Sequence, residues 1–264
     1  MAREFGVNLF WYAVILAGMA AKGISQDAIQ SPDQGALQTM QKHLITFDLD
    51  GTLLDSAPEI AAAVNTTLAS YGIAPVDMTA IVGFIGQGTR ELMRQVLAVV
   101  DPALPEDALE AWLSDIMPAL VREYELAVGT MAQTYPGVEK GLATLQQSGV
   151  RMAVVSNKEH QFAQHLLGTT GLLPHFEMVI GGDSLTRKKP HPLPILHVLE
   201  QFTVSGHHAA HVGDSRTDIE TARNAGVTAW AVPYGYNYGE SIALAQPDRI
   251  FMSIDDLADH VVLA

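Results

Sequence analysis

Short apolar runs that alternate with segments of helical periodicity constrain this chain's fold more than any other feature. The apolar runs are rich in strand-forming residues. Strands and helices that alternate at this spacing form right-handed βαβ units, which build a parallel sheet covered on both faces. The predicted strands are residues 43–49, 151–156, 176–180, 208–212, 227–232 and 249–252. The predicted helices among and after the later strands are residues 138–147, 158–168, 193–202, 217–225 and 255–261.

A long stretch without strand signals follows the first predicted strand. Ser56, Pro58 and Glu59 are typical of a helix start, as N-cap, first-turn proline and early acid. Further helical patterns cover residues 89–100 and 106–128. We therefore predict an α/β fold with a Rossmann-like parallel-sheet core and helices on both faces. Its predicted parts are a core at residues 42–56 and 134–264 and an inserted all-helical cap at residues 57–133.

The first 41 residues differ from the rest of the chain. Residues 9–21 form an apolar run that is shorter than the roughly 20 residues needed to span a bilayer. The run is similar to the hydrophobic part of a signal peptide, but Glu4 cancels Arg3, so the positive region that should precede it is missing. We expect residues 1–41 to be an extension outside the catalytic fold, or sequence upstream of a start at Met40. Secretion is the less favoured alternative.

Charge and cysteine content exclude several functions. The 29 acidic and 15 basic residues give a net charge of −14, which argues against a sequence-independent grip on nucleic acid or an anionic membrane. The chain has no cysteine, which excludes disulfides, thiolate metal sites and a cysteine nucleophile. We expect a cytoplasmic protein with no nucleic-acid or membrane partner.

Polar residues follow four of the predicted strands. They are Asp48, Asp50 and Thr52; Ser156, Asn157 and Lys158; Asp183 through Lys189; and Asp214 with Asp218. Each set alone is explained by a turn or a helix cap. Ligands of open parallel sheets bind beyond the carboxyl ends of the strands. Four polar sets at that edge therefore indicate a ligand site.

The residue types in these sets point to phosphoryl transfer. Asp48, Asp50 and Asp214 would crowd negative charge, which a hard divalent cation such as Mg²⁺ relieves. Lys189 and the Ser156 hydroxyl would supply an anion cradle. One carboxylate of the first set could attack phosphorus while the other handles protons.

These motifs resemble the four ordered motifs of haloacid dehalogenase superfamily phosphatases, and the helical insertion resembles that superfamily's C1 cap. The segments at residues 179–183, 188–192 and 234–240 are similar to bacterial phosphoglycolate phosphatases. The resemblance implies hydrolysis of 2-phosphoglycolate, a small phosphorylated metabolite, to glycolate and phosphate. It also implies a phosphoaspartate intermediate and Mg²⁺ as cofactor.

The resemblance also implies residue roles. Asp48 would be the nucleophile, and Asp50 would protonate the leaving oxygen and then activate water. Thr52 would help hold Asp50, and Asp218 would support the site. The implied phosphate-binding residues are Ser156, Asn157 and Lys189. The implied Mg²⁺ ligands are the Asp48 carboxylate, the Asp50 backbone carbonyl and Asp214.

The predicted cap has few groups that could bind a substrate carboxylate. Its basic residues are Arg90, Arg94 and Arg122. Arg90, just past a Gly-Gln-Gly turn, is our candidate for this contact. The alternative is an arginine on a helix surface that pairs with a neighbouring acid.

Two alternative enzyme functions stay open at this stage, and two further alternatives are disfavoured by the residues present. The same mechanism could act on another small phosphomonoester or a pyrophosphate, or the enzyme could be a sugar-phosphate mutase. A non-catalytic scaffold on this fold predicts a broken acid set, yet Asp48, Asp50, Lys189 and Asp214 are all present. A phosphonoacetaldehyde hydrolase would need a Schiff-base lysine in the cap, and residues 57–135 contain no lysine.

Overall fold

A six-stranded parallel sheet forms the centre of the fold in a computed structural model, which describes residues 42–263. The described strands are β1 (Leu44–Phe47), β2 (Leu54–Asp55), β3 (Gln133–Thr134), β4 (Arg151–Val155), β5 (Met178–Ile180), β6 (Ala209–Gly213), β7 (Thr228–Ala231) and β8 (Arg249–Ile250). Their order across the parallel sheet is β5-β4-β1-β6-β7-β8. The predicted α/β fold class is thus confirmed. The predicted extension, residues 1–41, lies outside the described residues.

The described α-helices are α1 (Ala57–Ser70), α2 (Met78–Val82), α3 (Thr89–Val100), α4 (Glu106–Ala127), α5 (Val138–Gln147), α6 (His160–Thr169), α7 (Leu193–Phe202), α8 (Arg216–Ala225) and α9 (Ile254–Leu263). Of these, α5 to α9 cover the two faces of the sheet. Successive strand residues point to opposite faces. Ile45 and Val154 therefore share an apolar cluster with α5, α6 and α9, whereas Leu44 and Val155 share one with α7 and α8. Burial on both faces explains why the strands are continuous apolar runs. Of the helices just given, none is long and apolar enough to cross a membrane.

Helices α1 to α4 lie between β2 and β3, and we call them the helical insertion. The strands β2 and β3 form an antiparallel ribbon in which Leu54 pairs with Thr134. The chain therefore leaves the α/β core and returns to it at one place. Within the insertion, α4 packs against both α1 and α3.

The helix predicted at residues 89–100 has the observed bounds of α3. The ribbon and α2 were not expected, because two-residue strands and a five-residue helix are too short for a periodic signal. The assignment of residues 57–133 as a cap domain stays a prediction.

A buried carboxylate on α1 holds the segment that returns from the insertion. Glu59 is fully buried, and its Oε2 accepts backbone N–H bonds from Gly129 at 2.9 Å and Ala132 at 3.1 Å. Its Oε1 lies 3.4 Å from the hydroxyl of Tyr124, which donates to it. Buried backbone donors need such partners. Glu59 therefore joins the beginning of the insertion to its end.

Candidate active site

The candidate site lies where β1, β4 and β6 end. Phe47, the last residue of β1, is opposite Val154 on one side and Val212 on the other, so the three strands end together. Beyond β1, Gly51 has φ of 87°, and a Cβ there would lie 2.4 Å from Oδ2 of Asp214. Glycine therefore lets the loop after β1 approach the loop after β6. The polar residues at these strand ends meet, as the sequence predicted.

A cluster of three buried carboxylates forms the centre of the site. Asp48, Asp214 and Asp218 each offer an oxygen, and these oxygens lie within 4.8 Å of one another. Lys189 reaches into the cluster, with Nζ 2.8 Å from Oδ1 of Asp48 and 2.7 Å from Oδ1 of Asp218. The cluster thus has more carboxylates than cations.

This crowding changes the pKa of each group. Burial raises the pKa of Asp48 to about 6, with Lys189 opposing the rise and Asp218 adding to it. Burial and the charges of Asp218 and Asp48 raise the pKa of Asp214 well above its ordinary value. Burial also disfavours ionised Asp218, but Lys189 and His211 outweigh it and hold the pKa of Asp218 below its ordinary range. The cost of ionising crowded, buried carboxyl groups therefore falls on Asp48 and Asp214. A cation bound between these two residues would lower that cost.

The carboxylate of Asp218 is already occupied by protein groups. Its Oδ1 is bound by Lys189 and lies 3.3 Å from Nε2 of His211, whose Nδ1 contacts the Thr46 hydroxyl at 2.9 Å. Its Oδ2 accepts from the backbone N–H and hydroxyl of Ser215, in the capping box that begins α8. Asp218 is therefore placed to hold Lys189 and α8. Asp214 also accepts on both oxygens, from the Thr52 hydroxyl at 2.8 Å and the backbone N–H of Tyr236 at 2.6 Å, but these donors are neutral, so its negative charge has no cationic partner of its own.

Asp50 has different partners from the three clustered carboxylates. Its Oδ1 accepts from the Ser56 hydroxyl at 2.5 Å, and both carboxylate oxygens lie 2.9 Å from Nζ of Lys158. The resemblance assigned Thr52 to Asp50, but the Thr52 hydroxyl donates to Oδ1 of Asp214 at 2.8 Å. The reason is the left-handed turn at Gly51, which sends Thr52 toward the loop after β6 while Asp50 faces Ser56.

Ser156 and Asn157 follow β4 at the same edge. Ser156 is buried, and its hydroxyl oxygen accepts the backbone N–H of Lys158 at 3.3 Å. The side-chain nitrogen of Asn157 donates to the carbonyls of Gly86 at 2.9 Å and Lys189 at 3.0 Å. A phosphate contact from this nitrogen would have to break one of those bonds. The predicted phosphate-binding role of Asn157 stays a prediction, and its observed contacts hold the Lys189 backbone.

A cavity of about 530 Å³, its open mouth included, lies between these residues and the helical insertion. Asp48, Asp50, Ser156 and Lys158 line its polar side. The side chains that the insertion contributes are largely apolar: Ile60, Val64, Ile85, Leu92, Leu120 and Tyr124. A ligand of this cavity would thus meet its charged partners at the strand ends.

The structure does not bring Arg90 into this cavity. The Arg90 guanidinium is 2.6 Å from Oε2 of Glu110, and its side chain is 52% exposed. Arg94 pairs with Glu106, and Arg122 donates to the carbonyl of Pro118. The contact of Arg90 with Glu110 matches the alternative interpretation of the sequence, in which this arginine pairs with an acid on a helix surface.

Lys158 is a site residue to which the sequence analysis assigned no role. Its side chain is 4% exposed, and its Nζ lies 5.0 Å from the ring centroid of Tyr124. Burial opposes the charge of Lys158, but Asp50 and Tyr124 outweigh it and raise the pKa of Lys158 above its ordinary value. The sequence feature that could have identified Lys158 as a site residue is its position directly after Ser156 and Asn157 at the end of a strand.

Known proteins are similar to this chain over most of its described length. A family model described as haloacid dehalogenase-like hydrolase matches residues 45–232. A protein named phosphoglycolate phosphatase from Nitrosospira multiformis is 40% identical over 210 residues, which are 80% of this chain and 91% of the relative. Another of that name from Colwellia psychrerythraea is 35% identical over 224 residues, covering 84% of this chain and 97% of the relative.

Solved structures match the fold. A crystal structure described as a predicted phosphoglycolate phosphatase from Haemophilus somnus has a TM-score of 0.78 and 31% identity, and covers 83% of this chain and 98% of that one. CbbY from Rhodobacter sphaeroides, solved with phosphate, has a TM-score of 0.67 and 22% identity, and covers 82% of this chain and 96% of that one. At 22% identity, the similarity to CbbY is evidence for the fold alone.

Proposed function

Because the chain belongs to the haloacid dehalogenase-like hydrolase family and is a phosphoric monoester hydrolase, we propose that it hydrolyses 2-phosphoglycolate to glycolate and phosphate. The observation that carries the chemistry is the meeting of Asp48 with Lys189 and Asp214 at the strand ends, with Asp50 on the wall of the same cavity. The relatives named phosphoglycolate phosphatase support the substrate. The helical insertion acts as the predicted cap over this site, and the protein works in the cytoplasm.

The proposed reaction has two steps. An oxygen of Asp48 attacks phosphorus, the bond from phosphorus to the glycolate oxygen breaks, and Asp50 gives that oxygen a proton. A water molecule then gives a proton to Asp50, and its oxygen attacks the phosphorus of the phosphoaspartate. Phosphate leaves and Asp48 is regenerated. Asp50 enters the first step as the protonated acid, and its contact with the Ser56 hydroxyl supports the proton-transfer role because it orients the carboxyl group.

The donor set fits Mg²⁺. Asp48 and Asp214 offer hard carboxylate oxygens whose mutual repulsion Lys189 relieves only in part, and Mg²⁺ prefers one or two carboxylates together with phosphate oxygens. In this proposal, Asp48 and Asp214 hold the ion through their carboxylates and Asp50 through its backbone carbonyl. When bound, the ion neutralises the charge that develops on the transferring phosphoryl group. Ser156 and Lys189 hold the remaining phosphoryl oxygens.

The substrate proposal is tested by measuring phosphate release from a panel of phosphate esters with Mg²⁺. The panel contains 2-phosphoglycolate, 2-hydroxyethyl phosphate, glucose 1-phosphate and pyrophosphate. We expect kcat/KM for 2-phosphoglycolate to exceed the others by about 100-fold or more, because a site built to pair a charged group rejects a substrate that lacks it. Equal values across the panel would refute the substrate and leave the phosphatase chemistry. Absence of phosphate release from every ester would refute both.

The metal proposal predicts a pH-dependent stabilisation by Mg²⁺. Since burial raises the pKa of Asp48 to about 6 in the metal-free site, Asp48 contributes stability below its unfolded value of about 3.9 and loses it as the pH rises through about 6. Metal binding needs the ionised carboxylate. Adding Mg²⁺ in place of a chelator should therefore raise the melting temperature by several degrees near pH 7.5 and by much less near pH 5.5.

Differential scanning fluorimetry at constant ionic strength measures this difference. Asp214→Asn serves as the control, because it removes one proposed ligand and should abolish the shift at both pH values. An equal shift at the two pH values in the unsubstituted protein would mean that Mg²⁺ binds away from these carboxylates.

A further inference from the structure

Lys158 is a buried cation on the cavity wall for which the proposed reaction requires no chemical step. Its side chain is 4% exposed, and it lines the same cavity as Asp48 and Asp50. Its ammonium group has three N–H donors, and its partners in this site are the two oxygens of Asp50 and the side chain of Tyr124. The Tyr124 ring, with its centroid 5.0 Å from Nζ, flanks the ammonium group on another side.

The charge of the proposed substrate requires a second cationic contact. 2-Phosphoglycolate brings a phosphate and a carboxylate. Asp48 attacks the phosphate in the proposed reaction. Lys189 contacts Asp48, and Asp48 is a proposed metal ligand, so both positive charges belong to the phosphate end of the substrate. A carboxylate that entered the apolar part of the cavity without a partner would lose its hydration at a large cost. Among the described side chains that line this cavity, Lys158 alone carries a positive charge.

The position of Lys158 matches the position of that carboxylate. Asp50 is the group that meets the ester oxygen of the substrate in the proposed reaction. In 2-phosphoglycolate, a single methylene separates this ester oxygen from the carboxylate carbon. The carboxylate therefore lies next to whatever group contacts Asp50 on the cavity side. Lys158 is that group, 2.9 Å from both Asp50 oxygens, whereas Ser56 contacts Oδ1 only.

We propose that Lys158 binds the substrate carboxylate and thereby selects phosphorylated carboxylic acids over esters of neutral alcohols. This inference rests on the proposed function, and it assigns to Lys158 the contact for which Arg90 was the candidate in the sequence. Arg90 is engaged by Glu110 on the surface of the insertion. The apolar side chains of Ile60, Val64 and Leu120 offer the carboxylate no competing partner.

The test compares Lys158→Met with the unsubstituted protein on two substrates of similar size, 2-phosphoglycolate and 2-hydroxyethyl phosphate. Lys158→Met keeps the length of the side chain and removes its charge. We expect kcat/KM for 2-phosphoglycolate to fall by about 100-fold or more, mainly through KM, and that for 2-hydroxyethyl phosphate to change by less than about 10-fold. Lys158→Arg should keep much of the preference, because it keeps the charge.

Two control variants accompany these measurements. Lys140→Met removes an exposed lysine that pairs with Asp255, and it should leave both substrates unaffected. Arg90→Met removes the other candidate for the carboxylate contact, and this variant should keep the preference for 2-phosphoglycolate. If circular dichroism shows that Lys158→Met does not fold, Lys158→Gln takes its place, because it keeps a donor to Asp50 without the charge.

The outcomes separate this inference from the proposed function. If the unsubstituted protein has no preference for 2-phosphoglycolate, both are overturned. If it has that preference but Lys158→Met slows both substrates equally, Lys158 acts only through Asp50 and the inference alone is overturned. Loss of the preference in Arg90→Met, with Lys158→Met retaining it, would also overturn the inference and support the sequence candidate.

Discussion

Replacing Asp48 with asparagine is expected to abolish phosphate release, with kcat reduced by about 10,000-fold or more. The amide cannot form the phosphoaspartate, because its nitrogen and neutral oxygen are poor nucleophiles. Asp48→Asn also removes one of three crowded carboxylates, while Lys189 keeps its contact of 2.7 Å with Asp218. The variant should therefore fold, with a melting temperature within several degrees of the unsubstituted protein.

The assay is phosphate release from 2-phosphoglycolate with Mg²⁺, together with circular dichroism. Asp183→Asn is a matched control: Asp183 is an exposed aspartate just beyond β5 at the same edge of the sheet, and it accepts the backbone N–H of His160. This control should retain most of the activity. Activity of Asp48→Asn near that of the control would rule out Asp48 as the nucleophile.

The second large effect is expected from Lys189→Met. Lys189 is 1% exposed and ion-paired with Asp48 and Asp218. Its removal leaves three buried carboxylates with no lysine between them. Breaking a buried ion pair in this way typically costs about 3–5 kcal/mol of unfolding free energy. Phosphate release should fall as well, by about 100-fold or more, because a preorganised cation at the transferring phosphoryl group is lost.

Urea denaturation in the presence of a chelator measures the loss of stability. The loss should shrink as the pH falls from about 7.5 to about 5.5, since carboxylates with a raised pKa destabilise the fold when ionised and are relieved by protonation. Lys188→Met is the matched control, because Lys188 is the exposed neighbour and donates to the carbonyl of Gln87; its effect should be below about 0.5 kcal/mol. A loss of less than about 1 kcal/mol in Lys189→Met would mean that the carboxylates are neutral or paired elsewhere.

Much of the site could be predicted because its residues follow strands. An apolar strand has a clear local signal, and the carboxyl ends of neighbouring parallel strands share one edge of the sheet. Asp48 and Asp214 are 166 positions apart in the chain, yet this rule alone predicted that they meet. The same rule placed Lys189 at this edge as part of an anion cradle, but its ion pairs with Asp48 and Asp218 were not predicted.

Side-chain pairing was predicted less well. Thr52 lies two residues from Asp50 but donates to Asp214, because the turn at Gly51 changes its direction. The side-chain nitrogen of Asn157 binds two backbone carbonyls, a pairing that the sequence did not indicate, and its phosphate contact stays a prediction. Such choices depend on angles within a loop, which residue spacing does not specify.

The sequence by itself determined the α/β class, the strands that end in polar residues and the presence of a carboxylate–lysine set suited to phosphoryl transfer. These follow from periodicity and chain order, which are local properties. Only the tertiary structure decided which cation faces the cavity. Arg90 lies in the insertion and turns to Glu110 on its surface, whereas Lys158 lies beyond a core strand and turns inward to Asp50. The physical reason is that an ionic side chain pairs with the acid that folding brings within reach, and residues 50 and 158 become neighbours only when β1 and β4 pair.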